Sequence, residues 1–143
     1  MKFISSSYDE ETGKSVVVLQ HMGKKFKGVA HVHPSDKEIA SSFAGCEYAE
    51  IRAMIQALKY ERRRMKERAD AAIEFVHACE CYKGFIKDSK SAKAVYRQLN
   101  RRIARVNELA DEINDLYKQL EQKQNKRQII INAVKRYKTK KTK

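Results

Sequence analysis

Four arginines fall within nine residues of the segment VYRQLNRRIARVN, which spans residues 95–107. Arg97, Arg101 and Arg105 recur every four residues, so a helix would place them on one stripe with Asn100 beside it. Stacked cations repel one another by roughly a few tenths of a kcal/mol per pair, a cost that nearby carboxylates or an anionic ligand would offset. Because guanidinium groups donate paired hydrogen bonds to phosphate oxygens, the stripe is a candidate nucleotide site.

A nucleotide site also needs a planar face for the base, and aromatic residues precede the stripe. Tyr82 and Phe85 fall where the pattern predicts a turn between two helices. The predicted ligand-binding set is Tyr82, Phe85, Arg97, Asn100 and Arg101. The alternative is a solvated basic face that carboxylates of the preceding helix partly neutralise, with Asp70, Glu74 and Glu80 as candidates.

Positive charge is concentrated in the C-terminal half of the chain. Residues 1–35, 36–82 and 83–143 carry +2, −1 and +12, which together make the formal net charge of +13. Such a field attracts nucleotides, nucleic acid or anionic membrane. We expect a second anion site where Arg127, Arg136 and Lys138 meet around an oligomer axis. Two other functions stay open: a nucleic-acid-binding protein that follows phosphates along the helices and tail, and a coiled-coil adaptor that binds no small molecule.

Other chemistry-bearing residues favour structural roles. Gly13-Lys14-Ser15 matches the end of a phosphate-binding loop, but Tyr8 stands where that motif has its first glycine, and a β-like run follows. A hairpin turn is the better interpretation. His31 and His33 share one strand face, whereas the set His77, Cys79 and Cys81 has a two-residue spacing that diverges by about 200° on a helix. No nucleophile and base stand in a familiar pattern, so we expect neither an enzyme nor a bound cofactor or metal.

The cysteine count and the apolar runs predict where the protein works. There are three cysteines, an odd number, and no stretch resembles a signal peptide or a membrane span. We therefore expect a cytoplasmic protein with reduced thiols and no membrane partner.

Three short apolar or alternating runs, separated by glycine-containing turns, predict a three-stranded antiparallel meander over residues 1–34. In the third run Phe26, Gly28, Ala30 and Val32 would face one side. A capping pattern at Ser35 and Glu38 predicts a helix over residues 36–82, and a second helix follows over residues 89–135. The fold class is thus α+β, with a small sheet before a long antiparallel helical hairpin, in one domain of residues 1–135 with a basic tail of residues 136–143.

Both predicted helices carry a narrow apolar seam with steps of three and four residues, which alternate in the first helix, where Arg62 is the one charged member. The first seam is Ile51, Ile55, Leu58, Arg62, Met65, Ala69, Ala72, Val76 and Cys79, and the second is Ala92, Val95, Leu99, Ile103, Val106, Leu109, Ile113, Leu116 and Leu120. Ile129, Ile130 and Ile131 follow one another and cover more than half of a helix. Two helices cannot bury them all, so we predict a homo-oligomer, a dimer or a multiple of one.

Three stretches of the sequence are informative in combination: KFISSSYDEETGKSVVVLQ, then GCEYAEIRAMIQALK at residues 45–59, and SAKAVYRQLNRRIARVNELADEIN at residues 91–114. Together they resemble a phage protein family, the Thoeris anti-defence sponges of the first-described type. The likeness extends over most of the chain up to about residue 120 and rests on overall arrangement, without a short diagnostic motif.

The resemblance implies a non-enzymatic sponge that works in the cytoplasm of the infected bacterium. Such proteins bind cyclic ADP-ribose isomers, such as glycocyclic ADP-ribose, made by immune TIR-domain proteins. They hold the signal uncleaved, which keeps the downstream effector silent. The resemblance also implies a small sheet with two long helices assembled through dimers, hexamers in some members, and a separate site for cyclic oligonucleotide signals.

Overall fold

The chain forms a three-stranded antiparallel sheet followed by two long helices, in a computed structural model that describes residues 1–31, 42–80 and 90–142. The strands are β1 (Lys2–Asp9), β2 (Lys14–His21) and β3 (Lys24–His31). The helices are α1 (Ser42–Glu80) and α2 (Lys90–Lys141). The predicted α+β architecture is confirmed. The capping pattern at Ser35 and Glu38 lies outside the described residues.

The chain divides into two compact units. The first unit comprises residues Met1–Ala57 and Asn114–Lys143, which contain the sheet, the first part of α1 and the last part of α2. The second unit, Leu58–Ile113, contains the rest of both helices and therefore the arginine stripe.

Tight hairpins join the strands of the sheet, in the order β1-β2-β3. Met22 and Gly23, between β2 and β3, both have positive φ angles of 51° and 74°, as a two-residue hairpin turn with right-handed strand twist requires. In the first turn the Gly13 amide donates to the Asp9 carbonyl at 2.7 Å. The Gly-Lys-Ser sequence is thus a hairpin turn that leads into β2, as the sequence favoured.

The core of the first unit lies between one sheet face and α1. Its buried members are Val17, Leu19, Ala30, Tyr48, Ala49 and Ala53, with Leu120 of α2 packed against them. Gly28 on β3 faces the backbone of α1, where a Cβ atom would collide with the Ala49 carbonyl oxygen. The inward face predicted for β3 is confirmed by the burial of Gly28 and Ala30, whereas Val32 lies outside the described residues.

In the second unit the two helices run antiparallel, because Glu61 pairs with Arg105 and the Arg68 carbonyl, further along α1, accepts from Arg102. The seams are mostly buried as predicted. One position of each seam differs. In the first seam Arg62 is exposed and the preceding residue, Glu61, is buried. In the second seam Ile103 is 41% exposed, and the preceding residue, Arg102, is half-buried. Steps of three and four from Leu99 to Val106 fall on residue 102, so the helix keeps its regular heptad and places an arginine on the seam.

The end of α2 differs from the boundary that the sequence predicts. The helix continues to Lys141, whereas the sequence predicts a basic tail from residue 136.

Strand β1 leaves apolar surface exposed. Tyr8 is its single partly buried side chain, and Phe3 and Ile4 are exposed. None of the described helices contains an apolar stretch that would suffice to cross a membrane.

Candidate functional site

The arginine stripe lies on the part of α2 that belongs to the second unit. Residues 95–107 favour a helix because seven of these thirteen residues are arginine, alanine, leucine or glutamine, which have high helix propensity. Side chains four residues apart are separated by about 40° around the helix and about 6 Å along it, so Arg97, Arg101 and Arg105 share one face. The helix therefore positions the stripe as the sequence predicted.

Arg97 and Arg101 are exposed on α2. Within the part of the chain that the structure describes, neither guanidinium group forms an ion pair or a hydrogen bond. Asn100 is exposed between them in sequence, about 100° from Arg101 around the helix. These three polar groups are therefore open to a ligand from solvent.

Arg105 has a different environment, although it belongs to the same stripe. Its Nη2 and Nε atoms donate to Oε1 of Glu61 at 3.0 and 3.1 Å. Its Nη1 atom lies 3.4 Å from Glu108 and 3.2 Å from Glu112. The hydrogen bond with Glu61 is the main cause that raises the pKa of Arg105. Because three carboxylates surround this guanidinium, Arg105 is not available to an anionic ligand.

The carboxylates that pair with Arg105 do not include Asp70 or Glu74, two of the three that the sequence suggests for the stripe, and the side chain of the third, Glu80, is not among those the structure describes. Asp70 and Glu74 are exposed, and the structure records no contact between them and the arginines. Glu61 takes this role and is 7% exposed, whereas Glu108 and Glu112 come from α2 itself. The contacts of Glu108 and Glu112 can be predicted from the sequence, since these residues lie three and seven positions after Arg105 and hence on the same helix face.

The fourth arginine of the segment serves the helix pair. Nη1 of Arg102 donates to the Arg68 carbonyl oxygen at 3.3 Å, and Arg102 itself is half-buried on the seam. An arginine reaches such a position by burying its methylene stem and keeping its charged end near solvent. Arg102 is therefore a structural residue rather than part of the stripe.

The predicted stacking platform, Tyr82 and Phe85, lies outside the described residues, so the complete ligand set remains a prediction. Tyr96, next to Arg97, is half-buried within α2. Of the predicted ligand-binding set, the structure therefore describes Arg97, Asn100 and Arg101, which are all exposed on α2.

The predicted second anion site involves the last part of α2, in the first unit. Arg127 is half-buried with its guanidinium carbon 5.7 Å from the centre of the Tyr48 ring. Arg136 and Lys138 are exposed. At 100° per residue Arg136 lies about 180° from Arg127, so the three cations do not converge within one chain. A site that uses them needs other copies of the chain.

Arg127 belongs to a group that joins α1 to α2 in the first unit and that the sequence did not reveal. The Tyr48 hydroxyl donates to the Lys123 carbonyl at 2.7 Å, and Nζ of Lys123 lies 3.0 Å from Oε2 of Glu47. Burial raises the pKa of Tyr48, while the positive charges of Arg127 and Lys123 oppose this shift. Arg52 adds a further link, donating to the Val29 carbonyl at 2.6 Å.

The histidines and cysteines that the sequence offers as possible metal ligands lie only partly within the described residues. His31 is exposed at the end of β3, and His33 and Cys81 lie outside the described residues. Cys46 and Cys79 are free thiols. Across residues 1–31, 42–80 and 90–142, no group of three or more His, Cys, Asp or Glu side chains is placed to hold a metal ion.

Comparisons with known proteins found no matching family model, no matching curated protein and no matching solved structure. Any function proposed for this chain therefore rests on its own residues and on the family resemblance of its three sequence stretches.

Proposed function

We propose that this protein is a phage anti-defence sponge that binds cyclic ADP-ribose isomer signals, such as glycocyclic ADP-ribose, and holds them without cleavage. The observation that carries the proposal is the pair Arg97 and Arg101: two exposed guanidinium groups, one helical turn apart, without carboxylate partners among the described residues. Arg105, the third arginine of the stripe, is neutralised by carboxylates, so the positive charge available to a ligand is that of Arg97 and Arg101. This charge suits one diphosphate.

The ligand chemistry follows from the groups present. A cyclic ADP-ribose isomer contains a pyrophosphate, an adenine and two ribose-type rings. Arg97 and Arg101 would donate to the pyrophosphate oxygens in charge-assisted hydrogen bonds. Asn100 would read a base or ribose edge, and Tyr82 or Phe85 would stack on the adenine. The identity of the ligand class rests on the resemblance to the Thoeris anti-defence sponges.

The sponge needs no catalytic step, because sequestration depends only on affinity and on the concentration of sites. A bound signal is unavailable to the effector that it would activate. The protein acts, under this proposal, in the cytoplasm of the infected bacterium, where TIR-domain enzymes make the signal.

We infer that copies of the chain associate, and two exposed apolar surfaces of the first unit support this. One is the edge strand β1, which exposes Phe3 and Ile4, together with the exposed Met1 that precedes it. The other is the last part of α2, where Ile129, Ile130 and Tyr137 are 69%, 59% and 67% exposed. Association in dimers, or in hexamers built of dimers, would bury these surfaces and bring Arg127, Arg136 and Lys138 of several copies together as a second anion site for cyclic oligonucleotides.

The alternative function, nucleic-acid binding, is favoured by the basic end of α2, where Lys135, Arg136, Lys138, Lys140 and Lys141 follow one another closely. Binding through many phosphates weakens steeply as salt rises, whereas one pyrophosphate in a site gives a shallow dependence. The salt dependence of each ligand therefore separates the two functions.

The sponge proposal is tested by recovery of the ligand. The purified protein is incubated with glycocyclic ADP-ribose, separated from free ligand, and heated, and the released compounds are analysed by mass spectrometry. We expect intact cyclic ligand in an amount that matches the protein. Recovery of a hydrolysed product, or of no ligand, would reject the proposal. Light scattering of the same sample tests association, and a monomeric mass would reject that inference.

A further inference from the structure

The stripe on α2 changes sign along its length. After Arg97 and Arg101, the same face continues with Arg105, Glu108 and Glu112, each three or four residues beyond the last. Within the described residues the first two arginines have no carboxylate partner. The third is surrounded by Glu108, Glu112 and a carboxylate of α1.

The carboxylates in contact with Arg105 outnumber its single positive charge. One guanidinium lies among three carboxylates, so these four groups together carry a formal charge of −2, one +1 and three −1. Glu108 follows Arg101 by seven residues, or about 10 Å along the helix axis. That separation is comparable to the Debye length of about 10 Å at 0.1 M salt. A phosphate chain that extended along the stripe beyond Arg101 would therefore meet repulsion.

The two carboxylates of α2 are not needed to hold the helices together. Glu61 is buried and already accepts two hydrogen bonds from Arg105. The side chains of Glu108 and Glu112 are 64% and 48% exposed. Exposed ion pairs contribute about 0–1 kcal/mol to stability. Their main physical effect is therefore on anions that approach from solvent.

We propose that Glu108 and Glu112 are specificity-determining residues that end the anion-binding part of the stripe after Arg101. The stripe then accepts a short diphosphate and rejects an extended polyanion such as single-stranded nucleic acid. This inference uses the same arginine pair as the proposed function. Its test involves no cyclic nucleotide, so the two proposals can fail separately.

The test compares the wild-type protein with the double variant Glu108→Gln and Glu112→Gln. Fluorescence anisotropy measures binding of a labelled oligothymidylate of about 20 nucleotides at several salt concentrations. One added phosphate contact steepens the slope of log K against log salt by about 0.7 and tightens binding roughly eightfold at 50 mM salt. We expect at least this change. The charge-matched control is Glu10→Gln with Glu50→Gln, two exposed carboxylates elsewhere on the chain.

A second comparison localises the gain. Arg97→Ala and Arg101→Ala are added to the Gln double variant, and the gain in oligonucleotide affinity should disappear. Equal tightening in the Glu10 and Glu50 control would overturn the proposal, as would a gain that persists without the two arginines. If circular dichroism shows that the double variant has lost helix, the single variant Glu108→Gln replaces it, with an expected gain of smaller size and the same controls.

Discussion

The Nη2 atom of Arg105 lies 3.0 Å from Oε1 of Glu61, a buried carboxylate of the other helix. This pair has two consequences for the second unit. It fixes the register of α1 against α2 at this point. It also removes Arg105 from the cations that a ligand can contact. Arg97 and Arg101, earlier on the same face, keep their charge open to solvent.

Replacing Glu61 by alanine should lower the free energy of unfolding by about 1–3 kcal/mol, because a buried hydrogen bond to a charged group is lost. Glu67 provides the control, since its pairs with Arg63 and Arg64 are exposed. Glu67→Ala should change stability by less than about 1 kcal/mol. Urea denaturation followed by circular dichroism measures both. Equal losses in the free energy of unfolding would show that the Glu61–Arg105 pair stabilises the protein no more than an exposed ion pair.

Gly28→Ala should destabilise the first unit by about 3 kcal/mol or more, because the new Cβ would collide with the backbone of Ala49 on α1. Gly23→Ala is the comparison. Nothing lies near its Cβ, and its φ of 74° costs an alanine only about 1–2 kcal/mol. Thermal melting distinguishes the two. A Gly28→Ala protein as stable as Gly23→Ala would mean that the sheet does not lie this close to α1.

Ser15 provides a prediction with the opposite sign. Its hydroxyl is fully buried, and the described residues offer it no hydrogen-bond partner. Burial of an unsatisfied hydroxyl costs about 1–3 kcal/mol, so Ser15→Ala should raise the free energy of unfolding by about 1 kcal/mol. Urea denaturation checks this. A clear loss of stability would indicate that Ser15 has a partner in the folded protein.

Tyr48 predicts how stability changes at high pH. Burial raises its pKa above the ordinary value of 10.0, so the folded state favours the neutral phenol. The stabilisation of the folded state by the neutral Tyr48 phenol is fully present below pH 10 and is lost as pH rises through the folded-state pKa. Tyr48→Phe should therefore be less stable than wild type below pH 10, because the hydrogen bond to Lys123 is missing. Urea titrations between pH 8 and 11 measure the difference in free energy of unfolding between wild type and Tyr48→Phe, and this difference should shrink above pH 10. A difference that stays constant with pH would contradict a raised pKa for Tyr48.

Much of the fold follows from the sequence, because periodicity and turn residues are local. Alternating runs around Gly13 and Gly23 predict the meander, and steps of three and four predict the seams. At one position two sequence signals disagree: the apolar character of Ile103 favours it for the seam, whereas regular steps of three and four residues from Leu99 indicate Arg102. The helix kept its geometry there and left the isoleucine exposed.

The partners of the stripe were harder to predict. Glu61 and Arg105 are 44 residues apart in sequence, and their pairing depends on how one helix is placed against the other. The same holds for Tyr48 and Lys123, 75 residues apart. A single chain without a structure gives no such register. Glu108 and Glu112, by contrast, follow from helical spacing alone.

The most direct test of the central claim is calorimetric titration of glycocyclic ADP-ribose into the Arg97→Ala and Arg101→Ala double variant. Each lost charge-assisted interaction is worth about 1.5–3 kcal/mol, so affinity should fall by at least about a hundredfold. Arg63→Ala with Arg64→Ala removes the same charge from exposed arginines of α1 and should bind like wild type. Wild-type affinity in the Arg97 and Arg101 variant would contradict the account.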